Sequence, residues 1–310
     1  MEQLFITKCK NFISFMLSQQ QWSGLTQENI DLWLKNFEEL SAEELVLVYK
    51  LLTNILYFSE NDVIDSLRKG IFQCLSYNDV LTKQITTGFS TSQHALETIH
   101  QSNINQVCIV PLLDQGAPFE SSNNICRLLV QQGIVPQKSI TSIENVPELL
   151  KKYKIDKFVI VDDCVGTGEQ LRTFWNRTCV DDDGEKLSIK SLCEKYNLTA
   201  FYLTLFGYEN SIIQLKDEIE SLSIICVQIL KDQHRVFDDN SYIWENMEER
   251  DQAYKLLLSL TKNVAIPILG FQELDFAFIM HKTIPDWSLP LFWKTNSEWN
   301  FLLGRKNSNV

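Results

Sequence analysis

The residues best able to do chemistry lie in one segment, Val159-Ile160-Val161-Asp162-Asp163-Cys164-Val165-Gly166-Thr167-Gly168-Glu169-Gln170-Leu171. Two adjacent carboxylates follow an apolar run, and a turn of small residues follows the carboxylates. In an open α/β sheet, ligands bind at the carboxyl ends of the strands. A Gly-Thr-Gly turn leading into a helix presents backbone N–H groups to an anion, so Gly166–Gly168 reads as a phosphate seat. Asp162 and Asp163, one turn away, suit sugar hydroxyls or a Mg²⁺ ion shared with the ligand. The pattern proposes a ribose 5-phosphate, with its phosphate in the turn and its diol on the acids. The plainer alternative is that the acids only cap and solvate the turn.

Such a turn needs a sheet to carry it. Lys157–Val161 holds four apolar residues in five and no turn former, the pattern of a strand buried on both faces of a parallel sheet. Runs at 106–112, 199–206 and 224–229 read as further strands, and 119–132, 147–153, 169 onward and 211–222 read as helices. Strand–helix–strand alternation predicts an α/β fold with a parallel sheet flanked by helices. Asp181-Asp182-Asp183-Gly184 interrupts it as an exposed acidic turn. Residues 1–100 read as mostly helical. Ser41 and Glu44 form a capping box before Leu45, Val48, Leu51, Leu52 and Ile55, and Ser59 caps the next helix. Two helices about a short turn are compatible with a DNA reader, but Glu43, Glu44, Glu60, Asp62 and Asp65 favour a packed hairpin. The tail holds three of the seven tryptophans (287, 293 and 299) among prolines and reads as an aromatic-rich cap. Three segments follow: a helical region at 1–100, an α/β core at 101–261 and the cap at 262–310.

The 310 residues carry a net charge of −12, which repels bulk nucleic acid and anionic membrane. No apolar stretch reaches the length of a membrane span, and the first residues lack the basic region of a signal peptide. The eight cysteines include no CxxC pair, and several sit in apolar runs as reduced thiols do, which points to the cytoplasm. The four histidines show no metal spacing. Arg235 follows the last core strand, which places it at the sheet edge of the phosphate turn as an anion contact.

The stretch from Val159 to Gln170 resembles the PRPP motif of type I phosphoribosyltransferases: apolar strand, two acids, three linking residues, then Thr-Gly. The resemblance implies that Asp162 and Asp163 hold the ribose hydroxyls and would carry catalysis, and that Thr167 and Gly168 hold the 5-phosphate. Gln170 stands where the family has a hydroxyl residue, and Glu169 brings a negative charge to the seat. The pyrophosphate loop of that family would fall on Val110–Gly116, with Gly116 at a tight backbone turn and Asp114 acting through Mg²⁺. The family's mobile hairpin, which closes over the reacting sugar, has no counterpart of adequate length between Gln132 and Lys157.

The whole chain is similar to one group of that superfamily, the PRTase-CE type proteins of bacterial anti-phage conflict systems, some of them retron-associated. Trp33-Leu34-x-Asn36-Phe37 and Leu56-Tyr57-Phe58-Ser59 carry the likeness at the front. Leu269-Gly270-Phe271, Thr283–Trp293, Trp299 and Arg305 carry it at the back. Three functions stay open. One is a sensor or effector that binds PRPP or a nucleotide. Another is an active Mg²⁺-dependent phosphoribosyltransferase, or an effector that cleaves N-glycosidic bonds. The third is a non-enzymatic partner of a retron RNA–DNA element or of another defence protein, with homo-oligomerisation equally open.

Overall fold

Ser41 opens a helix as its neighbours dictate: its hydroxyl accepts from the Glu44 backbone N–H while the Glu44 carboxylate accepts from the Ser41 N–H. In this computed structural model the described residues are 1–113, 121–180, 184–281 and 283–304. They divide into two compact units, Met1–Val63 with Lys231–Val310, and Ile64–Leu230.

The first unit begins with α1 (Glu2–Ser18), α2 (Gln27–Leu34), α3 (Ala42–Thr53) and the short strand β1 (Leu56–Phe58). A strand therefore separates α3 from the next helix, so residues 41–71 are not a helix–turn–helix. The second unit takes up α4 (Glu60–Leu75), α5 (Tyr77–Thr86), α6 (Gln93–Ile104), β2 (Val107–Pro111), α7 (Ser121–Gln131), α8 (Val146–Lys152), β3 (Lys157–Val165) and α9 (Glu169–Trp175). A small antiparallel pair follows, β4 (Thr178–Val180) and β5 (Lys186–Ser188). The Asp181–Asp183 turn between them lies outside the described residues. Then come α10 (Ile189–Lys195), β6 (Thr199–Tyr208), α11 (Glu209–Glu218) and β7 (Ser223–Leu230). The chain returns to the first unit with α12 (Met247–Asn263) and β8 (Phe278–Met280).

The sheet of the second unit has the order β2-β3-β6-β7 and is parallel throughout. β3 is paired on both sides, and Phe158, Val159, Ile160 and Val161 are fully buried, as the apolar run predicts. Gly70 lets α4 lie close to this sheet, since a Cβ there would stand 2.4 Å from Leu203. Asn103 ties α6 to the end of α4 through the Leu75 carbonyl. These contacts put the helices from Ile64 to Ile104 with the sheet, whereas the sequence reading placed its first boundary after residue 100.

The core of the first unit is made by both ends of the chain. β1 pairs in parallel with β8, and the Trp33 and Trp299 indoles both donate to the Leu291 carbonyl. Trp33, Phe37, Phe292 and Trp299 pack ring against ring. Lys50, buried on α3, donates to Glu245 and Glu249. Buried Asp275 accepts from Arg235 and from the Phe237 N–H. The tryptophan-rich tail thus closes on the helical front.

Candidate functional site

The acid pair sits inside β3 and not at its end. β3 stays in register with β6 through Val165, with Asp162 opposite Thr204, Cys164 opposite Phe206 and Val165 opposite Gly207. The missing side chain at Gly207 makes this extension fit, because a Cβ there would lie 2.8 Å from Val165 Cγ1. The sequence reading ended the strand at Val161 and placed the acids at the start of the turn. Both are instead buried, Asp162 at 5% and Asp163 at 6% exposure.

The two carboxyl groups are hydrogen-bonded to each other, and each also has partners of its own. Tyr202, in β6, donates its hydroxyl to Asp162 Oδ2 at 2.8 Å, and the Asp163 backbone N–H donates to Asp162 Oδ1 at 2.9 Å. Asp163 Oδ1 accepts from the Cys164 N–H at 2.9 Å, and the Ser121 hydroxyl at the start of α7 is hydrogen-bonded to the same carboxyl group. Burial, together with the neighbouring Asp163 charge, raises the Asp162 carboxyl well above the usual carboxylate range against the opposing bond from Tyr202. Burial also raises Asp163 despite Ser121, and burial with the Asp162 charge raises the Tyr202 phenol. The two acids titrate as a pair that holds a proton readily.

Beyond the strand, Gly166 and Gly168 are buried and Thr167 is half-buried. Gly168 takes φ +79°, a conformation natural only to glycine, and caps α9. A Cβ on it would stand 2.7 Å from Leu215 Cδ1 of α11, so the turn is seated against that helix. Arg172, one turn into α9, braces the loop from below. Its Nη1 donates to the Thr167 carbonyl at 2.8 Å and its Nε to Glu218 at 2.5 Å. Its Nη2 is buried with no acceptor among the described residues. Glu169 points outward, mostly exposed, 3.8 Å from the same guanidinium, so its charge is partly compensated. Gln170 is half-buried. Reasoning from the sequence missed Arg172 and Tyr202. A basic residue four positions after the turn's last glycine, and a tyrosine in the middle of a largely apolar strand, were the available signals.

Asp114 and Gly116 lie outside the described residues. Arg235 belongs to the first unit, where its guanidinium donates to Asp275 and to the Glu273 carbonyl. Residues 132–156 hold two 3-10 turns and α8 but no strand pair. One isolated bridge joins Ile140 to Ile109. Among the described residues, which do not include Asp114, the donor set does not fit a protein-held Mg²⁺ ion. Both Asp162 oxygens accept protein donors, burial favours the protonated acids, and no group of three or more His, Cys, Asp or Glu placed to hold a metal ion is found among the described residues.

A family model described as PRTase-CE matches residues 30–305. No curated protein matches the chain.

Proposed function

Since the chain belongs to the PRTase-CE family and is phosphoribosyltransferase-like in fold, we propose that it binds a ribose-phosphate ligand, PRPP or a nucleotide, as a sensor or effector of bacterial anti-phage defence. The turn Gly166–Gly168 at the carboxyl edge of the central parallel strand carries the reading. It brings a left-handed glycine, the start of a helix and the Arg172 guanidinium to one loop. The phosphate is held by the turn. Asp163, hydrogen-bonded to Ser121 at the start of α7 and to Asp162, is the acid that meets the sugar hydroxyls, while Asp162 is held by Tyr202 and keeps the strand rigid.

The missing hairpin over the site supports binding without efficient turnover, because transfer of a ribosyl cation needs water excluded. Calorimetry with PRPP, ribose 5-phosphate and nucleoside 5′-monophosphates, each with and without Mg²⁺, tests the reading. The expected result is binding by at least one of them, weakened about tenfold or more in Arg172→Met. Failure of all of them to bind would overturn it. Incubation with a mixed nucleotide pool should leave the pool unchanged, and release of free base would establish the enzymatic alternative.

A further inference from the structure

The second unit carries an apolar stripe that none of its own described residues covers. Tyr77, Leu81, Ile85 and Phe89 recur every four residues along α5 and its C-terminal turn, and are 50%, 38%, 60% and 71% exposed. No residue of α5 is buried. Four-residue spacing aligns these side chains in one ridge on the helix surface. At about 200 Å² per whole residue they expose on the order of 400 Å² of mostly apolar surface, the size of a functional patch on a monomer. The polar neighbours on that face, Asn78 and Thr82, are uncharged, and Asp79 and Lys83 fall on the far side of the helical wheel.

The end of the stripe is fixed by the backbone. The Phe89 N–H donates to the Gln84 carbonyl and the Gly88 N–H to the Ile85 carbonyl, closing the helix in a Schellman turn. In such a turn the residue after the glycine commonly packs back on its own helix. Here Phe89 takes φ +60°, a conformation costly for a bulky residue, and its ring stands out in solvent.

We propose that this stripe is a self-association surface, on which α5 of one copy packs antiparallel against α5 of a second. The order of residues carries the choice of partner. Read in either direction the ridge runs aromatic, aliphatic, aliphatic, aromatic, so a two-fold axis between Leu81 and Ile85 sets Leu81 against Ile85 of the other copy and Tyr77 against its Phe89. Charge agrees with this. Copies of a chain at −12 repel one another except where a face is uncharged, and a partner recruited by charge finds none here. Two such ridges bury roughly 800 Å² in all, which places the contact among weak, reversible associations.

Sedimentation velocity of the full chain from about 5 to 500 µM tests the surface. The expected result is a reversible monomer–dimer equilibrium at the upper concentrations. Leu81→Glu and Ile85→Lys should each be monomeric throughout, with unchanged circular dichroism and thermal midpoints because both positions face solvent. An equimolar mixture of the two should recover the dimer, since the introduced glutamate of one copy then faces the lysine of the other. Should a charged variant lose helical signal, Phe89→Ser, outside the helix, replaces it with the same expected loss of dimer. A monomeric parent at 500 µM, variants that still dimerise, or a mixture that stays monomeric each overturns the proposal.

Discussion

Gly168→Ala isolates what holds the candidate site in shape. Two separate costs meet at this position. A residue with a Cβ pays about 1–2 kcal/mol to hold the left-handed conformation that Gly168 adopts at φ +79°. The new methyl group would also stand 2.7 Å from Leu215 Cδ1, and moving a fully buried leucine costs a further ~1–3 kcal/mol. The sum is about 2–5 kcal/mol, or roughly thirtyfold to several-thousandfold in the opening equilibrium of α9. Only the second cost depends on Leu215. Leu215→Ala alone should cost about 2–5 kcal/mol as a core truncation. In that background Gly168→Ala should cost only the conformational ~1–2 kcal/mol, leaving a coupling of about 1–3 kcal/mol between the two sites. Hydrogen exchange read by mass spectrometry on peptides covering α9 and α11 reports these openings in the parent, both single variants and the double variant. An equal cost of Gly168→Ala in both backgrounds would show that Leu215 does not seat the turn. No cost in either would show that the left-handed conformation is not held.

Asp162 provides a pH test. Its folded-state affinity for a proton is raised, so its contribution to stability is present at low pH and lost as pH rises from the ordinary carboxylate range through the folded value. Asp162→Asn removes that loss, so the thermal midpoint of the variant minus that of the parent should grow between pH 4 and 8; a shrinking difference contradicts the assignment. Asp275→Ala should destabilise the first unit by about 3–5 kcal/mol, because it takes the carboxylate from Arg235 and the acceptor from the Phe237 N–H. Urea unfolding followed by fluorescence reads this directly, since six of the seven tryptophans lie in that unit. Glu169→Gln should bind phosphate-bearing ligands at least as tightly as the parent, because it removes a negative charge beside the turn. Weaker binding in calorimetry would make that carboxylate a ligand contact.

The parallel sheet was legible because its central strand is apolar on both faces, and only a strand covered on both sides is so. Gly168 was legible because a glycine between a strand and a helix has few other uses. The length of β3 was not. Carboxylates are poor strand formers, and Asp162 stays in the strand only because Tyr202 and a backbone N–H satisfy it. That donor is forty positions away in sequence, so no local pattern announces it. The pairing of β1 with β8 was likewise hidden, since three residues give too short a period to read and the partner strand lies about 220 positions later. For the same reason the tail looked like a separate cap, when its Trp299 shares the Leu291 carbonyl with Trp33 at the front.

That shared core dictates an order of assembly during synthesis. The ribosome delivers α1, α2, α3 and β1 before the sheet unit, yet Phe278–Met280, the strand that completes β1, emerges only after it. Ile64–Leu230 is continuous and can close as soon as β7 is clear of the exit tunnel. Throughout that interval Trp33, Phe37, Leu51 and Leu52 have no Phe292 or Trp299 to pack against, so the nascent front is a natural client for a chaperone. Premature termination anywhere between β7 and β8 therefore releases a finished sheet tethered to an adhesive, half-made core, and the cell would meet it as an aggregation problem before it met it as a lost activity.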